Sequence, residues 1–194
     1  GYQYGETEDY YFVPAQPPKV TAAVSRKIHG LAGTFGVDIC AGEVECRKGG
    51  PTDVLVTFDR PIQQVSGTNA DVTLSSGVVN SLTVAGNTLL IAMSNTTNAQ
   101  PLIIAFPGIA DPTNIACVSQ SKVCLRVLLG DANGDGKVNV FDLLAIKNQV
   151  NQPVTAANFR MDLTVDGRIN VNDLLIAKNA LNTVVKGCPI PYCQ

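Results

Sequence analysis

The chain has 194 residues, 45% of them hydrophobic, which suffices for a buried core and allows one large domain or two small ones. Charged residues make up only 15% and the net charge is −2, so there is neither a basic nucleic-acid footprint nor an acidic solvating tail. No apolar run reaches the roughly 18 residues of a spanning helix and no signal peptide opens the sequence, which predicts a soluble chain in processed form.

Residues 1–19 read as one aromatic-rich strand followed by a linker, because Pro14, Pro17 and Pro18 cannot continue a sheet. The strand is either loosely docked or free to complete the sheet of a neighbouring molecule. Its GETEDY stretch is similar to the GEVEDY segment near the end of repeated β-domains in bacterial surface proteins. From Val20 to about Leu129, short β-branched runs (TAAVSRKI, TFGVDI, DVLVTFD, DVTLSS, NSLTVAG, TLLIAMS, PLIIAF, VCLRVLL) alternate with Gly, Asn, Asp and Ser. This spacing predicts a mostly β domain over residues 20–129, an Ig-like antiparallel β-sandwich. Val54, Val56 and Phe58 alternate with Leu55, Thr57 and Asp59 as a half-buried strand does. The segment TFDRPI resembles a strand and turn of bacterial Ig-like domains, and its Asp59-Arg60 pair reads as a solvated strand end. Asn95-Thr96-Thr97 forms a glycosylation sequon, a triplet common by chance.

Six cysteines fall in three close pairs, Cys40 with Cys46, Cys117 with Cys124, and Cys188 with Cys193. Local pairing predicts three disulfides, the last clipping a tail over residues 185–194; a zinc site is the alternative, against which stand the absence of CxxC and a single histidine, His29. Disulfides imply an oxidising compartment, hence a secreted or cell-surface protein.

Beyond Gly130 the chain repeats itself. DANGDGKVNVFDLLAIKNQVN from Asp131 aligns without a gap with DLTVDGRINVNDLLIAKNALN from Asp162. Each copy fits a calcium loop of about twelve residues, with oxygen donors at positions 1, 3, 5, 9 and 12, glycine at 6 and a backbone carbonyl at 7. The first set is Asp131, Asn133, Asp135, the Lys137 carbonyl, Asn139 and Asp142; the second is Asp162, Thr164, Asp166, the Arg168 carbonyl, Asn170 and Asp173. The six acidic residues beyond Gly130 all stand at positions 1, 5 or 12, whereas surface charges would scatter over helix faces. Metal-free Asx-turns are the alternative, since Asp and Asn favour turns. Thr164 offers only a neutral hydroxyl, so the second of the two calcium ions is expected to bind more weakly. A helix follows each loop, with Val140, Leu143, Leu144 and Val150 on one stripe and Val171, Leu174, Leu175 and Leu181 on the other, and the helices are expected to pack face to face.

No helix precedes either loop, position 12 is Asp, position 9 is Asn, and Lys147 and Lys178 follow at matching places. In these features residues 130–182 resemble a type I dockerin, and the module is placed at 130–184. The resemblance implies a unit that folds on binding calcium and docks to a β-sandwich partner, cohesin. Recognition in that family leans on positions 10 and 11, often Ser-Thr; here they are Val140-Phe141 and Val171-Asn172, a departure that points away from ordinary cohesin docking. Phe141 is either a core or interdomain contact or an exposed anchor for a protein partner.

Catalysis finds little to work with: His29 reads as a structural histidine, and nothing brings two carboxylates between Glu6 and Asp111 to glycosidase distance. Without tryptophan, carbohydrate binding on indole platforms is also disfavoured. The sequence therefore predicts a non-catalytic extracellular calcium-binding protein. The favoured expectation is a subunit of a fibre or layer, made of copies joined head to tail and stiffened by the linker-free junction at LRVLLGDANG. The alternative is a docking module for a cohesin-like partner on a scaffold.

Overall fold

The computed structural model describes residues 16–193, so the predicted N-terminal strand and its exchange with a neighbour lie largely outside the described residues. In chain order come β1 (Val20–Ile28), β2 (Thr34–Asp38), β3 (Val44–Glu45), β4 (Asp53–Phe58), β5 (Gln63–Gln64), β6 (Thr73–Leu74), β7 (Val78–Ala85), β8 (Thr88–Ser94), β9 (Gln100–Ala105), β10 (Ile109–Asp111), β11 (Asn114–Val118) and β12 (Lys122–Val127). Helices α1 (Val140–Gln149) and α2 (Val171–Asn179) follow, making the protein mostly β with a small helical part. Each β-branched run read from the sequence contains a strand, whereas β3, β5, β10 and β11 are short and carry no alternation to reveal them.

The largest sheet is antiparallel, in the order β2-β1-β4-β8-β7, and a second runs β3-β12-β9-β6. The inward positions of β4 (Val54, Val56, Phe58) and β8 (Leu89, Ile91, Met93) meet those of β9 (Leu102, Ile104) and β12 (Val123, Leu125, Val127) in one buried cluster. Period-two alternation supplies these residues, and each fully buried aliphatic or aromatic side chain contributes about 1.5–3 kcal/mol. A small third sheet, β11-β10-β5, completes the β-rich half.

Two further cores cross from that half into the repeats. One joins Val37 and Cys46 to Ala132, Ile146, Phe159, Leu163, Ile169 and Ala177. The other joins Val44 and Leu128 to Val138, Ala180 and Val185. Strand β3 lies parallel to β12 at this junction. The segment after it continues the pairing, with Gly130 N–H donating to the Cys46 carbonyl (3.0 Å) and Lys48 N–H to the Leu163 carbonyl (2.8 Å).

The helices meet, but by only part of the predicted stripe. Ile146 and Ala177 are buried with Leu143 and Leu174 against them, while Val140, Leu144, Val171 and Leu175 are exposed. Positions 143/146 and 174/177 turn inward, while 140/144 and 171/175, rotated roughly a quarter to a third of a turn from them at about 3.6 residues per turn, stay on the exposed flank. Phe141 is 65% exposed, so it is not a core contact.

The cysteines pair over long range. Cys40 bonds Cys193 and Cys124 bonds Cys188, instead of Cys40–Cys46, Cys117–Cys124 and Cys188–Cys193. The C-terminal tail returns along β12, where Cys124 N–H donates to the Tyr192 carbonyl (2.8 Å), and this delivers both tail cysteines to the β-rich half. Cys46 is a buried thiol at the junction, its Sγ facing the Arg160 carbonyl, and burial pushes that thiol up to about 11. The Cys117 side chain lies outside what is described. Peptide mapping without reduction is expected to recover Cys40 linked to Cys193 and Cys124 to Cys188; a peptide pair joining Cys188 to Cys193 would contradict this path of the tail.

Candidate metal centre

Both repeat loops fold the same way because their ligand side chains also organise the backbone. In the first, the Asp131 carboxylate accepts from the N–H groups of Gly134 (2.8 Å), Asp135 (3.1 Å) and Gly136 (2.8 Å). Asp142 accepts from Asn133 N–H (3.1 Å) and Asn139 N–H (2.8 Å), tying the loop's two ends together. Asn139 and Asp142 form a capping box at the start of α1, so positions 9 and 12 also nucleate the helix. The second loop repeats this: Asp162 accepts from Asp166 and Gly167 N–H, Asp173 from Thr164 and Asn170 N–H, and Asn170 with Asp173 caps α2.

Glycine at position 6 (Gly136, φ 88°; Gly167, φ 86°) makes the sharp turn in a region that L side chains avoid. Position 4 differs, because the first loop has Gly134 at φ 82° while the second holds Val165 at φ 59°. A β-branched residue there is strained.

The predicted ligands of each loop are thus brought to one turn. Asp131, Asp142, Asp162 and Asp173 are fully buried, and Lys137 and Arg168 have exposed side chains that leave only their carbonyls to contribute. Among the described residues no three His, Cys, Asp or Glu side chains form a ready cluster, so a bound ion has to draw on the Asn, Thr and backbone oxygens as well. An all-oxygen donor set of this mixture suits a hard cation of calcium type. Burial and the nearby Asp142 charge push Asp131 above the usual carboxylate range, against the pull of the Gly136 and Gly134 N–H groups and of Arg160. Burial and the Asp162 charge do the same to Asp173, against N–H donors from Asn170 and Thr164. A buried carboxylate pushed up by desolvation and a neighbouring carboxylate is a place where a cation is welcome.

Residues 129–182 match the family model described as the dockerin type I domain. This segment is a type I dockerin module. No curated protein matches the chain, and no solved structure does. Dockerin domains bind calcium, and the residues that would hold an ion in this dockerin are those of the two sets above.

Sequence reasoning missed what surrounds the dockerin loops. Arg160 donates to the Asp131 (3.2 Å) and Ala132 (3.3 Å) carbonyls of the first loop. The tail adds Val185 N–H to the Gly136 carbonyl (3.0 Å). At the second loop, His29 places Nδ1 2.8 Å from Asp162 Oδ2. Burial raises Asp162, yet the His29 hydrogen bond and the Gly167 N–H outweigh it and hold this carboxyl below its ordinary range, opposite to Asp131. The one available signal was Glu45 and Arg47 at strand spacing in VECRK, two charges facing the same way in a segment that ends up inside.

Replacing Val165 by Gly is expected to stabilise the calcium-loaded protein by up to about 1 kcal/mol, the left-handed penalty less glycine's entropy cost, as read by urea denaturation. A loss of stability would show that Val165 is not strained. A second expectation concerns pH. A folded carboxyl with a raised pKa binds more protons than the unfolded one, so metal-free stability falls as pH rises through that pKa. Asp131 and Asp173 act in this sense, whereas Asp162, held low, loses its contribution only as pH falls below the ordinary carboxylate range. Calcium replaces the missing proton, so the gain in melting temperature on adding calcium is expected to be larger at pH 7 than near about pH 4. Equal gains at both would argue against it.

Proposed function

We propose that the chain is a non-catalytic extracellular docking protein, in which a dockerin holding two calcium ions presents a binding face and an Ig-like β-sandwich forms the body that carries it. The observation that carries the reading is an exposed apolar set at the start of both helices: Val140, Phe141 and Leu144 on α1, Val171 and Leu175 on α2. The two halves of this set occupy equivalent places in the repeats, next to the capping residues that a bound ion orders. Exposed apolar side chains of this kind mark protein contacts, and an exposed Phe such as Phe141 is a typical anchor. The partner favoured is a cohesin-like β-sandwich with an apolar recognition surface, since Val140-Phe141 and Val171-Asn172 replace the polar pairs usual in the family.

Lack of catalysis is supported by the single histidine, which is fully buried with both ring nitrogens engaged. Location outside the cell is supported by the two disulfides and by the usual setting of dockerins. Among the described residues no helix is long and apolar enough to cross a membrane. Among the two readings of the sequence, the dockerin match favours docking over the self-assembling subunit. A rigid structural role keeps one observation in its favour, the cores shared between dockerin and β-rich half, but these give no support to polymerisation.

Calorimetric titration against a panel of type I cohesin domains tests the proposal. Binding to at least one is expected in millimolar calcium and not after chelation, and Phe141→Asp is expected to weaken it at least about tenfold. Failure to bind any cohesin, together with calcium-dependent assemblies in sedimentation velocity, would return the subunit reading.

A further inference from the structure

The second calcium loop is not closed by the dockerin alone. The turn between β1 and β2 sits on it: a Cβ added to Gly30 would lie 2.3 Å from the Asp166 carbonyl oxygen, and one on Gly167 would lie 2.7 Å from that of His29. Only two glycine backbones can approach this closely. In the turn His29 Nδ1 faces Asp162 Oδ2 at 2.8 Å, and its Nε2 stands 3.2 Å from Arg47 Nη1. A guanidinium only donates, so Nε2 accepts, the ring proton is on Nδ1, and that N–H donates to Asp162. Arg47 is itself fixed as a fork on Glu45, Nε to Oε1 (2.8 Å) and Nη2 to Oε2 (2.7 Å), and donates to the Phe35 (3.0 Å) and Ser25 (2.9 Å) carbonyls. Glu45, Arg47, His29 and Asp162 are all 0% exposed. Phe159 of the dockerin lies under the Arg47 guanidinium and stacks on Phe35, closing the network from the other side.

We propose that the β-rich half is a built-in part of the second calcium site, with His29 the positioning residue for Asp162 and with Arg47 and Glu45 fixing the imidazole. The proposal rests on the calcium reading given above. His29 and the Gly167 N–H hold Asp162 Oδ2, which leaves Oδ1 on the side of the position-3 hydroxyl of Thr164. The first loop has no such imidazole; there Arg160 grips backbone carbonyls instead. The loop with the poorer donor set, Thr164 in place of Asn133, is therefore the one whose first ligand is oriented from outside. By reciprocity, an ion held through Asp162 steadies the β1–β2 turn as much as the turn steadies the ion.

The test uses the full chain and calcium alone. In an Asp142→Ala background, which isolates the second site, His29→Ala is expected to weaken calcium by about 10- to 100-fold, the usual cost of removing a ligand's supporting hydrogen bond. His29→Gln, whose amide can donate to Asp162, is expected to recover part of that loss, and in the parent chain the first site is expected to stay unchanged. Because His29 is buried, a second measurement avoids substitution. Calcium is expected to slow hydrogen exchange at the His29 and Ala32 amides of the turn and at Lys48, which bonds the Leu163 carbonyl. Calcium binding with equal affinity in His29→Ala, or with no change at these amides, overturns the proposal while leaving the calcium reading intact. A parent chain that takes up no calcium removes both.

Discussion

The structure hinges on a line of buried polar side chains, Glu45 to Arg47 to His29 to Asp162, that crosses from one half of the chain to the other without touching water. Isolated charges at such depth are untenable, and they persist only where every partner is in place. The partners come from three places: β3 and the segment after it, the β1–β2 turn, and the second repeat loop. The elements must therefore arrive together. The two shared cores around the line are consistent with this, since Val37 and Cys46 are buried by the dockerin's Ile146, Leu163 and Ile169 and not by their own sheets alone.

A dockerin is ordinarily a plug on a tether, and here its calcium loops are instead fitted to a body. Arg160 and the tail residue Val185 hold the first loop, and the β1–β2 turn holds the second. What stays free is the face at the start of the helices, where Val140, Phe141 and Val171 point to solvent. Docking and rigid fusion are thus compatible: one side of the module is committed within the chain while the other is left to a partner.

The loops were legible in the sequence because coordination chemistry fixes both residue type and spacing, and the spacing survives whatever the rest of the chain does. Strands such as β4 were legible for a similar reason, since Val54, Val56 and Phe58 record burial locally. The disulfides were not, because proximity in sequence says nothing about a tail that turns back along β12 to reach Cys40 and Cys124. Of the helix stripes, Leu143 and Leu174 were read rightly as inward, but Val140, Leu144, Val171 and Leu175 were not, because exposed and buried apolar residues look alike in a one-letter code. His29 was rightly taken as structural, but the group it supports lies across the fold in Asp162, and no local pattern connects the two.

The Cys40–Cys193 bond spans a sequence separation of 153 residues, and both repeat loops lie inside it. Tension applied along the chain, from the β1–β2 region on one side to Cys193 on the other, passes from residue 40 to residue 193 through a covalent link. Residues 40 to 193 are short-circuited and carry no load, so in an oxidised molecule the pull falls on β1, the β1–β2 turn and β2, which precede Cys40. The reduced molecule loses that bypass, and the same pull then runs through strands, loops and helices in turn.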